Sequence, residues 1–107
     1  MAKLLVVRGR DDFAALSRHG RRVREGPLTV VHLPRPEPAR VSFAVGRRAG
    51  PAVVRNRLRR RLRAAWRELV PATGDYLIVA APGAADLGFD ELRSGLRRAL
   101  ERLEGAA

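Results

Sequence analysis

The apolar positions along this chain change their period several times, and each change marks an element. Over residues 11–19, Phe13 and Leu16 stand three apart, the spacing of one helix face. Asp11 or Asp12 occupies an N-cap place, where acids suit the positive end of a helix, and Gly20 supplies a stop. Residues 21–24 (Arg-Arg-Val-Arg) read as a polar strand or edge, and residues 28–33 (Leu-Thr-Val-Val-His-Leu) as a β-branched strand. Pro34, Pro36 and Pro38 predict a loop over residues 34–38. Residues 40–46 alternate, with Val41, Phe43 and Val45 on one face and the small Ser42, Ala44 and Gly46 on the other. Pro51 fits the first position of a helix that runs to about Leu69, ahead of Pro71. Residues 76–81 form a continuous apolar run, hence a buried strand. Residues 89–103 carry Phe89, Leu92, Leu96, Leu100 and Leu103 on one stripe of an amphipathic helix with balanced charges. The order is αβββαβα if residues 21–33 hold two strands and αββαβα if they hold one. Either is an α+β domain, and 107 residues without a linker predict one domain, 1–107.

Charge changes this picture most. The chain has 22 basic and 11 acidic residues, a net charge of +11, and all the basic residues but Lys3 are arginine. Coding bias explains arginine in place of lysine, but not the excess or its location. Residues 40–67 hold Arg40, Arg47, Arg48, Arg55, Arg57, Arg59, Arg60, Arg61, Arg63 and Arg67 and no acid. Such a block repels itself unless a polyanion neutralises it, which points to nucleic acid over a merely solvated face. No apolar run approaches the ~20 residues of a membrane span, and the first eight residues lack a signal-peptide pattern. The absence of cysteine excludes disulfides and thiolate metal sites and fits a cytoplasmic protein.

A helical wheel divides the 51–69 segment. Around Leu58 fall Val54, Leu62, Ala65 and Leu69, a narrow seam that docks the helix on a sheet. Asn56, Arg60, Arg63 and Arg67 lie opposite, Arg57 and Arg59 flank them, and Arg55 and Arg61 border the seam. Trp66, near the seam's edge, reads as an anchor or a stacking platform. Arginines four apart, such as Arg55/Arg59 and Arg59/Arg63, each cost a few tenths of a kcal/mol, a local frustration expected at a functional site. Guanidinium forks match phosphate oxygens and stack on bases. Asn56 is either a solvated polar residue or a specific hydrogen-bonding one.

The run from Val45 to Arg63 resembles the signature of the bacterial ribonuclease P protein family. Arg47-Arg48 matches its basic pair, Gly50 its glycine, Ala52-Val53 its Ala-Val, Arg55-Asn56-Arg57 its core, and Arg59, Arg60 and Arg63 its basic tail. The stretch from Asp12-Phe13 to Gly20 is similar to the family's first helix, and residues 74–79 to its last strand. The resemblance implies a compact two-layer α/β sandwich, αβββαβα, with a left-handed βαβ crossover, shared with a ribosomal small-subunit protein domain. It implies the protein subunit of a ribonucleoprotein endonuclease that removes the 5′ leader of precursor tRNA. The RNA subunit does the chemistry with magnesium ions, and no cofactor is assigned to the protein itself. Catalytic RNA and precursor tRNA are the implied partners, with one protein per RNA. The RNA-binding set is then Arg47, Arg48, Arg55, Asn56, Arg57, Arg59, Arg60, Arg63 and Arg67. Phe13, Ser42 and Ala44 line the expected leader cleft, although the small face of Ser42, Ala44 and Gly46 equally suits packing under a helix.

Two departures stand out. A second aromatic usual on the first helix is Ser17 here, and one on the following strand is an aliphatic near Val31. Aromatics stack on single-stranded bases at about 1–3 kcal/mol each, so leader contacts lean here on Phe13, backbone groups and arginines. A protein-only nuclease is not expected. The acids are scattered, Asp11-Asp12 and Asp90-Glu91 open helices, and His19 and His32 lack an evident partner. The alternatives are a ribosomal or general nucleic-acid-binding protein and, more remotely, a membrane-surface helix.

Overall fold

The computed structural model describes residues 4–105. Lys3 and the start of the N-terminal stretch read above lie outside the described residues. The order is α1 (Arg10–His19), β1 (Arg21–Glu25), β2 (Leu28–Pro38), β3 (Arg40–Val45), α2 (Ala52–Arg67), β4 (Thr73–Ala80) and α3 (Phe89–Gly105), with short 3₁₀ turns at Arg47–Ala49 and Ala84–Asp86. Residues 21–33 hold two strands, joined at Gly26 and Pro27, so the αβββαβα order stands.

The sheet order is β1-β2-β4-β3. β4 pairs antiparallel with β2 and parallel with β3, and α2 makes the crossover between β3 and β4. Period-two alternation then sorts the side chains into two faces. Val23, Leu28, Val30, Val41, Val45, Ile78 and Ala80 point toward α2 and α3 and form the main core with Leu58, Leu62, Ala65, Trp66, Leu92, Leu96 and Leu103. Val31, Leu33 and Leu77 point the other way and meet Leu16 of α1 and Val7. The result is an α+β two-layer sandwich, with α1 covering part of the second sheet face. Residues 5–7 run along the outer edge of β3, where the Val41 N–H donates to the Leu5 carbonyl at 2.9 Å.

Three local expectations change. Residues 34–38 are strand, the end of β2, and not a loop. β1 stops pairing at His32, and the β2–β4 register shifts between Leu33 and Pro38, so the prolines sit where few ladder N–H groups are needed. Helix α1 is capped by Gly9, with no side-chain hydrogen bond from Asp11 or Asp12. Gly20 does end α1, but in extended backbone (φ −69°). Its glycine answers a close approach: a Cβ there lies 2.3 Å from the Leu16 carbonyl oxygen and 2.6 Å from Val31 Cγ1.

Asp12 is needed elsewhere. Asp75 of β4 is 2% exposed, and Arg40 of β3 grips it bidentately, Nε to Oδ1 at 2.8 Å and Nη2 to Oδ2 at 2.7 Å. Arg35 of β2 adds a bond to Oδ2 at 3.0 Å, and Arg40 Nη2 also reaches Asp12 Oδ2 at 3.1 Å. This network joins three strands to α1. The two carboxylates hold the Arg40 guanidinium's pKa above its ordinary value, the Asp75 hydrogen bond first. Arg40 therefore leaves the basic block as a free cation.

On the core side His32 stacks on Tyr76, centroids 4.5 Å apart, and Tyr76 meets Trp66 at 5.1 Å. Burial pushes the Tyr76 hydroxyl up to about 12, helped by Glu104, and burial pushes His32 down despite the Asp75 carbonyl beside its Nδ1.

Replacing Asp75 with Asn leaves Arg40 and Arg35 without their buried countercharge. Urea unfolding should show a loss of about 3 kcal/mol, the low end for breaking a buried pair because both arginines are partly solvated. A loss within error of zero would mean that the network is ornamental. For His32 the folded state is the less basic one. As pH falls below 6.5 the unfolded chain takes up a proton that the folded chain refuses, so stability drops until the folded pKa is passed. The variant His32→Gln should flatten that part of the stability–pH curve; a curve parallel to wild type refutes the assignment.

Candidate nucleic-acid interface

Helix α2 docks by Leu58, Leu62, Ala65 and Trp66, all buried, with Val54 and Leu69 half-buried at the ends of the seam. Trp66 is 1% exposed. It is an anchor against Tyr76 and does not offer a stacking platform. Pro51 is the N-cap residue, one place before the helix, and bears no side-chain cap.

Arginines on α2 divide by what holds them. Arg55 Nε donates to the Gly50 carbonyl at 3.1 Å, and Arg61 Nη1 to the Leu87 carbonyl at 3.3 Å. Arg59 bonds Asn56 Oδ1 at 3.0 Å and the Val45 carbonyl at 3.3 Å. Asn56 thus orients a neighbouring guanidinium. Arg63 lies over the Phe43 ring, 5.9 Å from its centroid. Arg57, Arg60 and Arg67 are exposed with no such tether. Among the described residues no carboxylate pairs with any arginine of α2, whereas Arg93, Arg98 and Arg102 of α3 all find acids. Positive charge is thus left without acids on α2 and paired with them on α3, and an uncompensated face of this kind can attract a polyanion.

The approach to α2 extends this face. Arg47 and Arg48 are exposed on the 3₁₀ turn, and Gly50 takes φ 138°, where a Cβ would press on Val54 at 3.0 Å. That bend brings Arg47 and Arg48 before the N-terminus of α2, whose uncapped N–H groups add partial positive charge. Val53, 77% exposed, was missed as a surface residue in the sequence reading. The wheel signal was present: Val53 precedes Asn56 by three places and Arg57 by four, on the same outward face.

Phe13, Ser42 and Ala44 come together, with Val6, Leu77, Arg59 and Arg63, around a groove of about 310 Å³ between α1, β3 and α2. Phe13 is 38% exposed, the large aromatic that faces this opening from α1. Ser42 is buried and its hydroxyl donates to the Val7 carbonyl at 3.3 Å, so it forms floor more than contact. Arg59 and Arg63 serve both the helix face and the groove wall.

Among the described residues no group of three or more His, Cys, Asp or Glu side chains converges on a point. The neighbouring carboxylates Asp12 and Asp75 are already occupied by Arg40 and Arg35. That donor set does not fit a catalytic metal. No described helix is long and apolar enough to cross a membrane.

Fold and charge together define the class: a small basic α+β domain with an arginine face suited to a nucleic acid. Comparison with known proteins then gives its family. The sequence profile of the family described as Ribonuclease P matches residues 1–104. The ribonuclease P protein component of Acidothermus cellulolyticus is 45% identical over 105 residues, spanning 91% of this chain and 86% of its own. That of Streptomyces avermitilis is 39% identical over 113 residues, spanning 92% and 91%. In fold, the Staphylococcus aureus RNase P protein superposes with a TM-score of 0.82 at 20% identity, over 94% of this chain and 96% of its own. The Thermotoga maritima RNase P protein does so at 0.80 and 23% identity, over 91% and 96%. The chain belongs to the ribonuclease P protein family. It is the non-catalytic protein component of that ribonucleoprotein enzyme.

Proposed function

We propose that the outward face of α2 and its approach turn bind the catalytic RNA, and that the groove beside Phe13 takes the 5′ leader of precursor tRNA. The carrying observation is the set of outward guanidinium groups, Arg57, Arg60 and Arg67 with Arg47 and Arg48, unmatched by any carboxylate among the described residues. These long side chains are free to meet phosphates. Arg55 and Arg59, held by backbone carbonyls and Asn56, supply donors in fixed orientation, the arrangement that positions an RNA backbone rather than merely attracting it. Arg63 belongs to both surfaces and links them.

Leader cleavage is the work of the RNA in this reading, with magnesium at the RNA. The protein contributes charge neutralisation and a hold on the leader. Neutralising phosphates at the junction of the two RNAs lowers the repulsion that divalent ions must otherwise screen, so the protein's effect is largest at low magnesium.

Reconstitution with the catalytic RNA and a precursor tRNA tests this. The protein alone should leave the precursor intact, and with the RNA it should restore cleavage at magnesium concentrations too low for the RNA by itself. Unchanged cleavage on adding the protein would defeat the proposal, and equal affinity for bulk RNA would make the surface a general one. Within it, Arg60→Ala should weaken binding to the catalytic RNA and reduce the salt slope by roughly 0.7–0.9, one phosphate's worth. An unchanged slope removes Arg60 from the interface.

A further inference from the structure

The second sheet face is only half covered. Helix α1 packs on Val31, Leu33 and Leu77, and the next row of side chains has no described helix over it. The strand registers define that row: Arg24 opposite Thr29, Thr29 opposite Val79, and Val79 opposite Ala44. Thr29 and Val79 lie in central strands yet are only half-buried, and Val79 joins neither core cluster. The row crosses all four strands, about 14 Å at the usual interstrand spacing. Its β3 end opens into the groove of Phe13, Arg59 and Arg63.

The β1 end carries Arg22 and Arg24. Both side chains alternate with buried Val23 and so share the open face. Arg22 Nη2 donates to the Ser17 carbonyl at 3.3 Å, which sets its guanidinium at the far end of α1 from Phe13. Arg24 Nε donates to the Gly26 carbonyl at 3.0 Å. Each keeps most of its five N–H donors. Neither meets a carboxylate among the described residues. The acid of the same strand, Glu25, faces the other side, where Arg98 and Arg102 of α3 hold it at 2.9 and 2.7 Å.

We infer that Arg22 and Arg24 are the far anchor of the single-stranded leader, which crosses the uncovered sheet row from the α2 side to the β1 edge. The inference rests on the leader reading above and extends it. A floor of threonine, valine and alanine with cations at both ends suits a strand that lays its bases down and hangs phosphates at either end. A duplex keeps its bases stacked inside and gains nothing from such a floor. The direction follows from α2: the nucleotides next to the cleaved bond stay beside the catalytic RNA that α2 binds, so the leader's 5′ portion reaches β1. The aromatics of the groove, Phe13 and Phe43, both lie at its α2 end, so at the far end charge carries the larger share of the hold.

The test compares reconstituted holoenzyme on precursors with leaders of about 2 and about 12 nucleotides, which bracket the lower range of single-strand site sizes. The readout is the ratio of the two affinities, for wild type and for Arg22→Ala combined with Arg24→Ala. The ratio should fall toward one in the double variant, and the long-leader salt slope should shrink by about 1.4, two single-strand phosphates. Arg22→Lys with Arg24→Lys should recover part of the ratio, because the charge remains. A ratio equal to wild type overturns the inference, as does an equal loss for both leaders, which would place these arginines on another RNA. A wild-type ratio already at one would instead defeat the leader reading itself, so the two failures are distinguishable.

Discussion

Helix α2 holds seven arginines and no acid, and its persistence as a helix depends on four side chains. Leu58, Leu62, Ala65 and Trp66 bury the seam against the sheet and α3. Isolated helices of this length are marginal in water even without like-charge crowding. Apolar burial at about 25 cal/mol per Å² offsets that cost, and it is available only because the remaining faces are left to solvent. The seam and the binding face are thus one constraint seen from two sides. A wider seam removes arginines, and a wider arginine face unseats the helix. Tethers from Arg55 to Gly50, Arg59 to Val45 and Arg61 to Leu87 use the half-buried positions, where a guanidinium is near enough to the body to find a carbonyl.

The Asp75 network does for α1 what the seam does for α2. α1 has a single fully buried residue, Leu16, and its hold on the sheet is correspondingly slight. The Asp12–Arg40–Asp75 connection adds a second fixed point near Phe13. Between those points α1 forms one wall of the groove. Its orientation rests on an ion pair that involves none of the α2 arginines, so the α1 wall of the groove is held apart from α2.

Much of this was legible in the chain. The change of period from two to 3.6 marked the strands and helices, and the wheel separated the buried seam from the exposed face at Leu58, Leu62, Arg57 and Arg60. What escaped it was set by contacts distant in sequence. Arg40 looked like one more cation because its partner, Asp75, lies 35 residues on. Trp66 looked peripheral because a wheel sees one helix, while Tyr76 comes from the strand beneath it. The prolines of 34–38 argued against a strand on local grounds, and they failed because that end of β2 has lost its β1 neighbour. Phe13, Ser42 and Ala44 were grouped through family likeness. The register that aligns Arg24, Thr29 and Val79 with Ala44 appears only once the sheet is assembled.

The placement of β4 between β2 and β3 has a consequence for how the protein is made. On the ribosome, β2 and β3 emerge first, each waiting for the strand that joins them. Until residues 73–80 appear, both present unpaired backbone to other chains, together with an arginine helix that has no complete sheet to sit on. The late strand therefore completes the seat: the sheet, the Asp75 network and the core under α2 all draw on residues 73–80, so none of them is whole until β4 has been made.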